Sequence, residues 1–94
     1  MSEREAIAEA EARSTVRLCQ QAIAVAEACT AHNRDLAHLG SYGAMPSGGV
    51  PLACIQRTLQ SGQRLAAAIE RLAQDAAMLE SFGDEDLVDI VDEA

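Results

Sequence analysis

The sequence contains very few aromatic side chains and no lysine. Tyr42 and Phe82 are the only aromatic residues among 94, and tryptophan is missing. The core must therefore be built from alanine, leucine, isoleucine and valine with a few cysteines and methionines, and alanine buries little apolar area per residue. Because a chain this short gains little stability from such a core, we expect it to need a partner chain to complete its fold.

Long apolar runs and a basic leader are also missing. No stretch approaches the roughly 20 apolar residues that span a bilayer, and the acidic start of the chain does not resemble a signal peptide. The net charge of −8 argues against nucleic acid or an anionic membrane as the partner, because phosphate binding needs a basic surface. We therefore expect a cytoplasmic protein that binds neither.

The negative charge is concentrated at the C-terminal end. Residues 84–94 carry six acidic side chains and no basic one, whereas all seven basic residues of the chain are arginines. Two interpretations of this segment stay open. Its mixture of acidic and aliphatic side chains is either an interaction motif for a basic groove or a solubilising terminus that packs on the fold through Leu87, Ile90 and Val91.

A capping pattern predicts that a helix begins at the N-terminus. Ser2 followed by Glu5 forms a capping box. No glycine or proline precedes Gly40, and apolar side chains recur every three or four residues, which predicts a helix over about 3–38. Gly40 is placed to end it in the left-handed conformation. The face of this helix comprises Ile7, Glu11, Ser14, Leu18, Ala22, Val25, Cys29, His32, Leu36 and Leu39.

Loop-like composition is confined to residues 40–51, which hold four of the six glycines and both prolines. Pro51 suits the first position of a second helix, predicted over about 52–81. Gly83 is expected to end that helix, and 84–94 to form an acidic tail or a short third helix. The second helix carries an apolar stripe of Leu52, Ile55, Leu59, Gly62, Ala66, Ile69, Ala73 and Ala76, with Leu65, Leu72 and Leu79 beside it.

The fold class that follows is all-α: a long two-helix hairpin over residues 1–83 with the acidic segment 84–94 appended. Each helix carries an apolar stripe broader than one neighbouring helix can cover. Pairing two hairpins into a four-helix bundle would bury the remainder, and two-fold dimers are the commonest oligomers. The sequence therefore predicts a homodimer.

Side chains capable of chemistry are few. Cys29 and His32 lie one helical turn apart, with Cys54 as a third donor across the hairpin, whereas a zinc or copper site needs three or four converging donors. The simpler interpretation is that these two thiols and Cys19 are reduced and buried. No nucleophile has an evident base, orienting group and oxyanion donor. We expect no catalytic residue, no metal and no cofactor.

The helix lengths, acidity and size over residues 2–82 resemble the small helical antiactivators of quorum-sensing transcription factors, of the QslA and TraM type. The resemblance implies that an exposed apolar patch on the hairpin competes for the dimer interface of a transcriptional regulator. No motif residue carries it, so no site residue is transferred. Small acidic phage inhibitors, including anti-CRISPR proteins that imitate DNA, are similar in size and charge, but here the acidic residues accumulate at the two ends.

The first functional hypothesis is a non-enzymatic regulator that binds another protein along a helix face and inhibits it. An acidic nucleic-acid mimic or phage-type inhibitor is the alternative, and a helical metal or thiol protein is the third. Interface energy concentrates in a few large anchors, and three large aliphatic side chains follow the loop on one stripe. The candidate partner-binding residues are Leu52, Ile55, Leu59, Arg57, Tyr42 and Met45.

Overall fold

The computed structural model describes residues 2–44 and 48–93, with side chains described for 2–44 and 48–82. The chain forms two long helices, α1 (Glu3–Ser41) and α2 (Leu52–Glu93), and a 3-10 turn, Tyr42–Ala44, follows directly after α1. The described stretches contain no strand. The predicted all-α helical hairpin is therefore confirmed.

The N-terminal cap of α1 forms as the sequence predicts. Ser2 has extended backbone angles, φ −77° and ψ 159°, and its Oγ accepts a hydrogen bond from the Glu5 N–H at 3.3 Å. Glu3 and Glu5 lie in the first turn, where carboxylates interact favourably with the positive end of the helix dipole. Local chemistry therefore determines where this helix begins.

The C-terminal end of α1 differs from the prediction. Gly40 lies inside the helix, and no glycine in the described residues has a positive φ, so the left-handed cap was wrong. Instead the helix tightens into the 3-10 turn, with the Tyr42 N–H directed at the Leu39 carbonyl. The Ser41 hydroxyl also donates to the His38 carbonyl at 2.6 Å. These local bonds satisfy carbonyl groups that a left-handed glycine would otherwise serve.

Helix α2 begins at Leu52, where the sequence predicts it, but extends further than predicted. The Pro51 carbonyl accepts from the N–H groups of Cys54 at 3.0 Å and Ile55 at 3.3 Å, so the proline caps the helix from outside. The helix then passes through Gly83 to Glu93, beyond the predicted end near 81. A glycine inside a helix costs only about 1 kcal/mol relative to alanine, which a long helix tolerates. The acidic side chains of 84–94 lie outside the described residues.

The two helices contact each other along a seam whose fully buried side chains, among the described residues, are all small. In the described residues only Ser14, Cys54, Thr58, Ser61 and Ala68 are buried. Small side chains permit close approach of two helices, but they remove little apolar area from water. With the half-buried positions that continue the same three-and-four spacing, the seam is Ser14, Leu18, Gln21, Val25, Ala28, His32, Asp35 and Leu39 of α1 with Cys54, Thr58, Ser61, Leu65, Ala68, Leu72, Asp75 and Leu79 of α2.

The seam of α2 is displaced by one residue from the apolar stripe identified in the sequence. Leu52 and Leu59, which belong to that stripe, are 67% and 61% exposed. Hydroxyl side chains can be buried in the seam because each forms a hydrogen bond within its own helix. Thr58 Oγ1 donates to the Cys54 carbonyl at 2.9 Å, and Ser61 Oγ donates to the Thr58 carbonyl at 3.0 Å. Burial of these two hydroxyls therefore leaves no polar group unpaired.

A larger side chain in the seam should separate the helices. Ala68 is 6% exposed, so Ala68→Leu should lower the free energy of unfolding by about 1–3 kcal/mol through overpacking. Ala77→Leu is the matched control, because Ala77 is exposed and alanine and leucine have similar helix propensities. Urea unfolding followed by circular dichroism, at one protein concentration, measures both changes. Equal effects of the two substitutions would contradict this seam.

Candidate interaction surface

The exposed stripe of α2 is a second, separate face of the helix. From Ile55 onward each member follows a seam residue by one position: Ile55 follows Cys54, and Leu59 follows Thr58. One residue rotates about 100° around the axis of an α-helix, so the stripe lies at nearly a right angle to the seam. The large apolar side chains exposed in the described residues are Ile7, Val16, Ile23, Leu36, Val50, Leu52, Ile55, Leu59, Ile69 and Met78.

Helix α1 contributes to the same side of the hairpin. An open groove of about 500 Å³ is lined by Leu36 and Leu39 of α1 together with Leu59, Gly62 and Ala66 of α2. Leu36 follows the seam residue Asp35 by one position, so this side of α1 lies next to the α2 stripe. We call the combined surface the apolar face; it comprises Leu52, Ile55, Leu59, Gly62, Ala66, Ile69, Ala73 and Ala76 of α2 with Cys19, Ala22, Ala26, Cys29 and Leu36 of α1.

The opposite side of the hairpin is rich in arginine. A residue one position before a seam residue points about 100° away from the seam, in the direction opposite to the apolar face. Such residues therefore lie on the other side of the hairpin. Six of the seven arginines occupy such positions, and all six are exposed. We call this surface the arginine face; its arginines are Arg13, Arg17, Arg34, Arg57, Arg64 and Arg71.

A histidine–serine contact connects the two helices beneath the groove. His32 Nδ1 lies 2.9 Å from Ser61 Oγ. The single hydroxyl proton of Ser61 is directed at the Thr58 carbonyl, so the serine oxygen accepts and His32 Nδ1 donates. Gly62 makes room for the imidazole, because a Cβ at that position would lie 3.0 Å from His32 Cε1. These contacts give His32 a structural position between the helices.

The three cysteines have different environments. Cys54 is buried in the seam, Cys29 is half-buried and Cys19 is exposed, so the expectation that all three are buried was wrong for Cys19. The Cys29 sulfur accepts a weak hydrogen bond from Asn33 Nδ2 at 3.6 Å. Among the residues whose side chains the structure describes, no three His, Cys, Asp or Glu side chains converge. Cys29, His32 and Cys54 are therefore not gathered as a set of donors.

The six residues predicted to bind a partner do not form one site. Leu52, Ile55 and Leu59 lie together on the apolar face, and Arg57 lies across the seam on the arginine face. Tyr42 is half-buried at the loop end, where its ring stands edge-on to His38 with the ring centroids 5.4 Å apart. Met45 lies outside the described residues.

Sequence reasoning recognised a broad apolar stripe on α1 but did not separate its seam positions from those that the hairpin leaves exposed. Leu36 was assigned to the stripe that faces α2, and it is 45% exposed. Each helix carries two stripes with the same spacing of three and four residues, and the second stripe is shifted by one residue from the first. This shift is the sequence signal that would have placed Leu36 on the exposed stripe.

Comparisons with protein-family models, curated proteins and solved structures found no match to this chain. Within the described residues, neither helix has a stretch that is both long and apolar enough to cross a membrane. The geometry of the two faces is therefore the basis for assigning a function.

Loss of the Ser61 hydroxyl should destabilise the hairpin. In Ser61→Ala the donating Nδ1–H of His32 loses its partner, which should cost about 1 kcal/mol or more. Ser81→Ala is the control, because the Ser81 hydroxyl makes the same bond to a carbonyl three residues earlier but is exposed. Chemical denaturation of both variants gives the difference. A loss in Ser81→Ala as large as that in Ser61→Ala would show that the His32 contact contributes nothing.

Proposed function

We propose that this chain is a non-enzymatic regulator that binds another protein through its apolar face. The observation that supports the proposal is the apolar face itself, which the hairpin leaves uncovered. Leu52, Ile55 and Leu59 form its largest cluster, next to Leu36 across the groove. Large aliphatic side chains grouped in this way are typical of anchors at protein–protein interfaces.

The exposed area is large for a chain of this mass. The accessible surface is 7147 Å², whereas a compact monomer of the same mass exposes about 5,200 Å². The excess of about 1,900 Å² is more than the roughly 800 Å² that each partner contributes to an interface of standard size. The molecule measures 70 × 29 × 14 Å, so it is one helix layer thick, whereas stable domains have at least two layers.

A four-helix bundle of two hairpins supplies the second layer. The angle of about 100° between the seam and the apolar stripe is close to the right angle at each corner of a square bundle. We therefore propose that the free chain is a homodimer. The apolar face serves self-association, and a partner with a complementary helix face competes for it.

Inhibition by sequestration fits this arrangement best. A transcription factor that dimerises through apolar helices presents such a complementary surface, so the hairpin would bind in place of the factor's second subunit. The proposed setting is cytoplasmic, with neither nucleic acid nor membrane as partner. Nucleic-acid mimicry is the weaker alternative, because a mimic needs carboxylates spaced along a surface, and one broad side of the hairpin carries six exposed arginines.

Light scattering should report about twice the chain mass of 9.9 kDa for the purified protein. The reason is that the excess exposed area is buried only when a second hairpin covers the apolar face. The measurement is made at micromolar concentration, with circular dichroism to show that the sample is helical. A monodisperse, fully helical monomer would rule out the homodimer.

Ile55→Glu should weaken partner capture at least tenfold, because it places a carboxylate in the centre of the apolar cluster. Gln60→Glu is the matched control: it adds the same charge to an exposed position of α2 on the opposite side of the seam. Each tagged variant is used to capture proteins from the native cytoplasm, and the co-eluting protein is identified and quantified by mass spectrometry. The partner should be retained by the control and lost by Ile55→Glu.

The ionic strength separates this proposal from charge mimicry. Capture through apolar contacts should persist at high salt, whereas binding through carboxylates weakens steeply. Deletion of residues 84–94 should therefore matter less than Ile55→Glu at moderate salt. Capture that survives Ile55→Glu but disappears with the deletion and at high salt would favour the nucleic-acid mimic instead.

A further inference from the structure

We infer that the chain that covers the apolar face is a second copy packed with its ends reversed, so that the loop end of each hairpin lies against the end of the partner's apolar face that carries Ala73 and Ala76. The inference rests on the self-association proposed above, and it adds the orientation and the register of the two copies. Three features of the chain support it: the taper of the apolar face, the symmetry of the α2 stripe and the distribution of charge.

The apolar face is thicker at the loop end than at the open end. Large side chains, Leu52, Ile55 and Leu59, occupy the first two turns of the α2 stripe, whereas its last turn carries the small Ala73 and Ala76, which follow Ile69. Two tapered faces leave a gap at one end when their thick ends coincide. When the ends are reversed, the large side chains at the loop end of each copy meet the small ones at the other end of the partner's apolar face.

The spacing of the α2 stripe is symmetric about position 64. Gly62 and Ala66 are equally distant from this point, and so are the outer positions on either side. A two-fold axis through position 64 therefore places Leu52 against the partner's Ala76, Ile55 against the partner's Ala73 and Leu59 against the partner's Ile69. The smallest residues, Gly62 and the partner's Ala66, meet next to the axis, where the two α2 helices approach most closely.

The charge distribution favours the same orientation. The open end of the hairpin contains the first turns of α1 and the last turns of α2, and residues 3–11 and 84–93 carry ten of the fifteen acidic residues. Copies with their open ends together would place twenty carboxylates at one end of the bundle. Reversed copies separate the two acidic ends by most of the 70 Å length, far beyond the screening length of about 8 Å.

The register of the hairpin then determines which cysteine lies at the two-fold axis. His32 is bonded to Ser61, and the Asp35 carbonyl lies 3.5 Å from Thr58 Oγ1. The residue numbers of each of these two pairs add to 93, which puts position 64 of α2 level with Cys29 of α1. The third hydrogen bond between the helices joins the long Gln21 side chain to the Ala68 carbonyl, about one turn from the same level. In the reversed dimer Cys29 therefore faces the partner's Cys29. Cys19 lies ten residues away along α1, about 30 Å from the partner's Cys19.

Two single-cysteine chains test the orientation. Cys19→Ser with Cys54→Ala keeps only Cys29, and Cys29→Ser with Cys54→Ala keeps only Cys19. Both carry the same change at buried Cys54, so any loss of stability there is shared. After oxidation with diamide, non-reducing electrophoresis should show that most of the Cys29 chain is a covalent dimer and the Cys19 chain is at background.

Light scattering on the reduced samples separates the two possible failures. A dimeric mass without cross-linking through Cys29 would overturn the reversed orientation and leave the self-association standing. A monomeric mass for the unsubstituted chain would instead overturn the self-association on which the orientation rests.

Ala73→Leu gives a second measurement that uses no cysteine. In the reversed dimer the added side chain meets the partner's Ile55, so the dissociation constant should rise at least tenfold by analytical ultracentrifugation. Copies with their open ends together would place it near the partner's Cys19, where there is room, and the dimer would be unchanged or tighter. Ala77→Leu, an exposed position outside the apolar face, is the control and should leave the dimer unchanged.

Discussion

The close approach of α1 and α2 along small side chains is the constraint on which the rest of the molecule depends. Ser14, Thr58, Ser61 and Ala68 are buried there, and none is larger than threonine. A seam of this kind aligns two helices but removes little apolar area from water. Further large aliphatic side chains lie on the face at a right angle to the seam, where Leu52 and Leu59 are mostly exposed. The His32–Ser61 hydrogen bond adds a specific register to this weak apolar contact.

The fold was predictable because its signals are local. A capping serine, a stretch without glycine or proline and one glycine- and proline-rich segment are enough to specify two helices and a turn. The ends were less predictable: Gly40 and Gly83 resemble stop signals, and both lie within helices. A glycine ends a helix only when a left-handed conformation improves the contacts that follow, and the sequence does not show those contacts.

The choice between seam and exposed stripe could not be made from the sequence. Both stripes of α2 have the same spacing, they differ by one residue, and the more apolar of them is outside. Thr58 and Ser61 are buried because their hydroxyls bond within their own helix, which a hydrophobicity pattern does not register. For the same reason Leu52, Ile55 and Leu59 were identified as candidate anchors by their size, whereas the small residues of α1 were not associated with them.

The apolar face and the arginine face suit partners of different chemistry. In the proposed bundle both apolar faces are inside, so a partner that binds through apolar contacts must first separate the two copies, and its apparent affinity is reduced by the free energy of self-association. The arginine faces remain on the two outer sides, where they attract acidic surfaces without any rearrangement. A sequestering regulator of this design therefore releases its binding surface only to a partner whose helix face fits better than a second copy of the chain.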